Sequence, residues 1–192
     1  MKTVLLVPGF HETMTSRDYA ALIAAITAKG YSVRFVPIQW ARTTIDGWVT
    51  QLERVYANYD PQHTVLAGFS FGAMAAFVAA ARRNPAELWL FSFSPYFAED
   101  LTSGHMKAAW LKQKGRRRVA SFAKVSFVDL APTVRCRTLL FVGQSELDDW
   151  PIMAERTNDA QKRLPRSSVV TIPGVGHNVT DPAYIAAIAG VL

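Results

Sequence analysis

The sequence predicts an α/β architecture in which a parallel sheet is covered by helices on both faces. Short apolar runs alternate with longer helical patterns along its 192 residues. The runs are rich in Val, Leu, Ile and Phe and lack the alternation of a half-exposed strand, as expected when both sheet faces are covered. Strand, helix and strand recur in turn, which makes βαβ units, and right-handed crossovers then place helices on both faces. No internal repeat, low-complexity tract or linker divides the chain, so residues 1–192 are expected to form a single domain.

Candidate strands fall at residues 3–7, 32–37, 64–67, 88–93, 138–142 and 168–172, giving a six-stranded, three-layer α/β/α expectation. Candidate helices fall at residues 16–29, 45–58, 71–83, 105–114, 154–164 and 182–191. The first has Thr15 or Ser16 as a capping residue and ends on Lys29-Gly30, a C-cap signature. Asp181-Pro182 opens the last, with the carboxylate as cap and proline in the first turn. The third carries Ala73, Ala75, Ala76, Ala79, Ala80 and Ala81, so it is small-sided nearly all round and can sit close against the sheet. Residues 94–137 form the longest stretch between strands and are expected to hold at least one helix and a small lid-like excursion.

Composition narrows the function classes. The net charge is +6, yet hydrophobic residues make up 50% and charged residues 19% of the chain, an ordinary globular balance. The one dense basic run is Arg116-Arg117-Arg118, with Lys107, Lys112 and Lys114 nearby. It lacks zinc-ligand spacing and aromatic RNA-binding motifs, so a solvated helix face is expected there rather than a nucleic-acid site. An anionic substrate or partner near residues 112–118 is the functional alternative. Cys136 is the single cysteine, which rules out an intramolecular disulfide. The N-terminal apolar run is too short for a signal peptide, and no stretch reaches the length of a membrane span. The expectation is a soluble, cytoplasmic protein without membrane or nucleic-acid partners. No lysine of a phosphate-binding loop, no Gly-x-Gly-x-x-Gly and no histidine pair at ligand spacing is present, so no cofactor and no metal is implied.

The chemistry-bearing segment is Gly68-Phe69-Ser70-Phe71-Gly72, which fits the Gly-x-Ser-x-Gly nucleophile elbow. A serine hydroxyl must project there from a sharp turn, and glycines two residues to either side remove the Cβ atoms that would block it. The run Thr64-Val65-Leu66-Ala67 precedes the motif and an alanine-rich helix follows it, the strand–turn–helix setting the elbow requires. Ser70 then sits at a helix N-terminus that favours negative charge, with the Phe71 N–H aimed at a developing oxyanion. His177, in Pro173-Gly174-Val175-Gly176-His177-Asn178, lies on a loop after the last strand, where open α/β sheets place functional groups. It is the candidate general base. His11 ends the first strand and is a candidate for lining the site, whereas His63 opens a strand and His105 falls in the long connection. An acid to orient the imidazole should follow the fifth strand, where Glu146, Asp148 and Asp149 compete within Gly143–Pro151. Spacing alone does not choose among them, and Asp149 before Trp150-Pro151 resembles a helix cap.

Together these residues resemble the α/β-hydrolase superfamily over nearly the whole chain. Val7-Pro8-Gly9-Phe10 resembles the segment that supplies the second oxyanion N–H, with proline where histidine is usual. The resemblance implies Phe10 and Phe71 as backbone donors. Leu139-Leu140-Phe141-Val142-Gly143 resembles the strand before the acid, and Gly176-His177 the segment that bears the base. The family's acid often stands three residues after the glycine closing that strand, which implies Glu146 first and Asp148 in reserve, with glutamate in place of the usual aspartate. The implied strand order is 2-1-3-4-5-6, all parallel, as in small, lidless members. The implied activity is that of a serine hydrolase, of carboxylesterase or thioesterase type, cleaving a small-molecule acyl substrate through an acyl-enzyme on Ser70. His11, Phe69, Tyr96 and Trp150 are the substrate-binding candidates, and Phe10, Phe71 and Phe97 are further aromatic ones, at least half of the aromatics being expected in the core. A catalytically silent ligand-binding protein on the same fold is the alternative.

Overall fold

The computed structural model describes residues 1–16, 19–104 and 106–192. Six strands form one all-parallel sheet: β1 (Thr3–Val7), β2 (Ser32–Phe35), β3 (Thr64–Phe69), β4 (Glu87–Phe91), β5 (Arg137–Gly143) and β6 (Ser167–Ile172), in the order β2-β1-β3-β4-β5-β6. Both the parallel sheet and its order match the sequence expectation. Alternate side chains of the central strands feed two separate cores. Leu5, Val7, Leu66, Leu88, Leu90 and Leu140 face one, and Val4, Leu6, Val65, Ala67, Trp89 and Phe141 face the other. This is why those strands read as continuous apolar runs.

On the first face lie α2 (Ile45–Tyr56) and α3 (Phe71–Arg83). Ala73, Ala75, Ala76, Ala79 and Ala80 are fully buried, as a helix seated closely on a sheet requires. On the second face α1 (Tyr19–Ala28) and the C-terminal α10 (Pro182–Val191) pack together through Tyr19, Leu22, Ile26, Tyr184 and Ile188. Asp181 caps α10, its Oδ1 accepting from the Ala183 N–H at 2.8 Å. The described part of α1 begins at Tyr19, and Arg17 and Asp18, which join it to the expected caps Thr15 and Ser16, lie outside the described residues. Among the described residues no helix is long and apolar enough to cross a membrane.

Between β4 and β5 the chain forms α4 (Ala98–Thr102), α5 (Ala108–Lys114), α6 (Arg116–Phe122) and α7 (Phe127–Leu130). The expected helix over 105–114 thus starts later, and His105 lies outside the described residues. After β5 come α8 (Gln144–Asp149) and α9 (Pro151–Arg163). The acid-bearing segment, expected as a loop, is therefore helical. Asp149 is its last residue rather than the cap of α9, a position held by Trp150.

Two ionic clusters hold the sheet and its long connection. At the N-terminal edge of the sheet Glu87 accepts from Lys2 Nζ at 2.6 Å and from Arg137 at 3.0 Å. Between α4 and α9 the buried Arg156 donates from Nε to Asp100 Oδ1 at 3.1 Å and stacks its guanidinium 4.2 Å from the Phe127 ring centroid. Asp100 Oδ2 accepts the Phe97 N–H at 2.8 Å. Burial pushes the Asp100 carboxyl above its ordinary range, against the pull of Arg156. Arg156→Met leaves that carboxylate buried without its cation and is expected to cost about 3–5 kcal/mol in urea unfolding.

Candidate active site

Ser70 follows β3 directly and is the N-cap of α3, with φ 57 and ψ −119. That left-handed backbone at a non-glycine residue is strained, and it turns the hydroxyl away from the sheet. The surrounding glycines have steric reasons. A Cβ on Gly68 would overlap the Gly72 carbonyl, and one on Gly72 would overlap the carbonyls of Pro8 and Val7. Gly72 thereby lets the end of β1 approach the start of α3. The Ser70 N–H continues the β-ladder by donating to the Phe91 carbonyl at 2.9 Å.

His177 Nε2 lies 3.0 Å from Ser70 Oγ, and its Nδ1 lies 2.7 Å from Glu146 Oε2. A carboxylate only accepts, so Nδ1 carries the proton and Nε2 is left to accept from the Ser70 hydroxyl. Ser94 Oγ, 3.1 Å from Ser70 Oγ, then donates to it. Glu146 is buried on α8. Its Oε1 accepts from the Gly143 N–H at 3.1 Å and from Ser92 Oγ at 2.6 Å. Ser92, with φ 48, lies 3.1 Å from the hydroxyl of Tyr184, which donates to the Phe141 carbonyl at 2.8 Å. Burial holds the Tyr184 phenol well above its ordinary pKa, so it stays a donor. The acid and base segments are also joined by backbone: the Ser145 N–H donates to the Val175 carbonyl at 3.0 Å, and Gly143 has no room for a Cβ against that carbonyl.

The structure brings Glu146 to the imidazole and keeps the other two acids away. Asp148 accepts from Gln144 Nε2 at 2.7 Å on the exposed side of α8. His63 pairs with Asp60 at 2.6 Å on the surface.

A cavity of about 200 Å³ opens on Ser70 and His177. Phe10, Phe71, Tyr96, Trp110, Lys114 and Trp150 contribute to its wall. Among the described residues neither the Phe10 nor the Phe71 backbone N–H has an acceptor, so both are free to serve an oxyanion. The loop that presents Phe10 is fixed by the Gly9 N–H, which donates to Glu12 Oε2 at 3.0 Å, and by Tyr19, whose hydroxyl donates to the same oxygen at 2.5 Å. Burial pushes the Tyr96 phenol up to about 12, leaving it neutral.

Two substrate-binding expectations are corrected. His11 is exposed and stacks beside Phe10 with ring centroids 4.0 Å apart, outside the cavity wall. Phe69 is buried and supports His177 from beneath, at 4.7 Å. Tyr96 and Trp150 do line the cavity, and Phe97 belongs to the core. Ser92, Ser94 and Tyr184 were not anticipated. Among the described residues no group of three or more His, Cys, Asp and Glu side chains is arranged to hold a metal ion.

No family model and no curated protein matches the sequence. Solved structures do match the fold. Est1E from Butyrivibrio proteoclasticus superposes with a TM-score of 0.78 at 18% identity, covering 98% of this chain and 84% of that one. Alpha/beta hydrolase domain-containing protein 10 from mouse gives 0.78 at 13% identity, covering 98% and 87%. A thioesterase domain from the curacin biosynthetic pathway gives 0.67 at 19% identity, covering 99% and 90%. With its parallel sheet in the order β2-β1-β3-β4-β5-β6, flanked by helices on both faces, the chain has the α/β-hydrolase fold.

Proposed function

We propose that the protein is a serine hydrolase that cleaves small carboxylic esters or thioesters through an acyl-enzyme. The observation that carries this reading is the unbroken relay Ser70–His177–Glu146, with contacts of 3.0 and 2.7 Å, opening on a cavity beside two uncommitted N–H groups. Ser70 Oγ attacks the substrate carbonyl while His177 Nε2 takes its proton. Glu146 holds the imidazole tautomer and stabilises the imidazolium that forms. The tetrahedral oxyanion is met by the Phe10 and Phe71 N–H groups and by the positive end of α3. His177 then gives its proton to the departing alcohol or thiol. Water, deprotonated by the same nitrogen, attacks the acyl-enzyme and frees the acid and Ser70.

The fold neighbours agree with this chemistry at a coarse level. They include a thioesterase domain, and Est1E is also known with ferulic acid bound. The cavity, about 200 Å³, is below the usual range for drug-sized ligands and suits a short acyl group.

The test is labelling with a fluorophosphonate probe followed by peptide mapping, together with a chain-length series of p-nitrophenyl esters and acyl thioesters. Stoichiometric label on Ser70 and turnover of the short members are expected. A protein that stays unlabelled and turns over no member is a binder, not a hydrolase.

A further inference from the structure

Lys114 is the only side chain in the cavity wall that carries a permanent formal charge, among the described residues. It is the last residue of α5, and its ammonium lies 5.7, 5.2 and 5.7 Å from the ring centroids of Phe10, Phe71 and Tyr96. Those rings attract the cation, but among the described residues no carboxylate pairs with it. A second cation stands behind it. Arg118 packs 4.7 Å from the Phe10 ring centroid, and its guanidinium is taken up by backbone carbonyls: Nε to Thr43 at 3.1 Å, Nη2 to Trp40 at 2.8 Å and Nη1 to Lys114 itself at 3.3 Å. Arg118 is thus a strut held by three backbone carbonyls and set behind the cavity wall, while the Lys114 ammonium, with no hydrogen-bond partner among the described residues, keeps its three donors for the cavity. Burial and the neighbouring Arg118 both work against the charge on Lys114. An anion entering the cavity would offset both.

The wall also separates the two halves of a substrate. The leaving group must reach His177 Nε2, and the ring of the cavity wall that flanks His177 is Trp150, with centroids 5.6 Å apart. Lys114 instead stands on Phe10, Phe71 and Tyr96, of which Phe10 and Phe71 also offer the oxyanion N–H groups. Among the described residues Trp150 packs on Trp110 and makes no ring contact with that set, which assigns the anion to the acyl half.

We propose that Lys114 is a specificity-determining residue for substrates whose acyl group ends in an anion, namely half-esters or half-thioesters of short dicarboxylic acids. The proposal rests on the hydrolase reading of the same cavity and names its substrate class. In it the distal carboxylate accepts from Lys114 Nζ and is chemically unchanged, while the other carboxyl carbon is transferred to Ser70 and then to water.

Monoethyl succinate, glutarate and adipate should be compared with neutral esters of equal length in which a methyl ketone replaces the free carboxylate. At the best length kcat/KM for the anionic ester is expected to exceed that of its neutral partner by at least about tenfold. Lys114→Met should collapse that ratio, and Lys114→Arg should retain a preference for the anion. Lys114→Gln checks that lost packing of the methionine is not the cause, and circular dichroism checks that each variant folds. Binding of the free diacids, read by calorimetry on wild type and Lys114→Met, needs no turnover. Turnover of the neutral esters equal to or faster than that of the anionic ones at all three lengths overturns the proposal and leaves the hydrolase reading standing. No turnover of any ester, with diacid binding that depends on Lys114, sinks the hydrolase reading and keeps the anion site. Absence of both overturns both.

Discussion

Replacing Ser70 with alanine is expected to lower kcat/KM on short esters by on the order of 10⁴- to 10⁶-fold and to abolish fluorophosphonate labelling. The hydroxyl is the group that would form the covalent bond, and among the described residues no other side chain in the cavity occupies an equivalent position. Ser94 is the nearest other hydroxyl, but its oxygen lies 3.1 Å from Ser70 Oγ and donates to it, and only Ser70 is placed at 3.0 Å from His177 Nε2. Residual rate in the variant would come from the two free N–H groups and from positioning in the cavity. The same position tests the strain of the elbow. With φ 57 the serine occupies a conformation that glycine adopts at little cost, so Ser70→Gly should be inactive yet more stable by about 1 kcal/mol in thermal unfolding. Loss of activity with a gain in stability would separate a strained catalytic turn from one kept for packing.

Glu146→Gln is expected to lower kcat by on the order of 10³- to 10⁴-fold while KM changes little. The carboxylate's two oxygens are already assigned by their partners. Oε1 accepts from Ser92 Oγ and the Gly143 N–H, whereas Oε2 faces His177 Nδ1. A glutamine in the same place would keep its amide oxygen on the two donors and turn its NH₂ toward Nδ1. The imidazole would then hold its proton on Nε2, and Ser70 would lose its base. Steady-state rates and the rate of fluorophosphonate labelling should fall together. Asp148→Asn, on the exposed side of α8, should stay within severalfold of wild type, and a loss as large as that of Glu146→Gln would show that the wrong acid has been assigned.

The elements legible in the sequence are those in which local pattern and tertiary role coincide. The central strands are buried on both faces and therefore read as unbroken apolar runs. The serine elbow was legible because the glycines, the preceding strand and the alanine-rich helix stand within one short segment, and His177 because its loop is marked by Pro173, Gly174 and Gly176. The strand order came from family resemblance, since local periodicity carries no information about which strands are neighbours.

What was missed is mostly non-local. Ser92 and Ser94 are isolated serines after a strand, and Tyr184 looks like one more apolar position of α10. Their partners lie 54, 24 and 43 residues away in sequence, so no spacing rule finds them. The helix α8 was hidden by its charge, because Glu146, Asp148 and Asp149 in one short segment resemble a solvated loop. A signal was nevertheless present. A glutamate three residues after the glycine that closes a strand can accept the glycine's own N–H and start a helix, half of a capping box, and the same carboxylate is then buried beside the base. Phe69 shows the reverse error: next to the nucleophile in sequence, it points to the opposite face of the sheet from Phe71 and supports the histidine instead.

Phe69, Phe91 and Phe141 stand side by side across β3, β4 and β5, and the ladder continues one step further through the N–H groups of Ser70 and Ser92. Ser70 and Ser92, the serine that holds Glu146, are therefore the next residues beyond one transverse row of the sheet. That row closes long loops, and parallel pairings of this kind are formed slowly because chain entropy must be lost before any contact rewards it. A chain whose helices have formed while the central strands remain unpaired holds Ser70 as an ordinary alcohol, 107 residues in sequence from His177. Under the proposed function, reactivity toward acyl groups would arrive with the completed topology, and partly folded chains would carry no activated serine to be acylated in error.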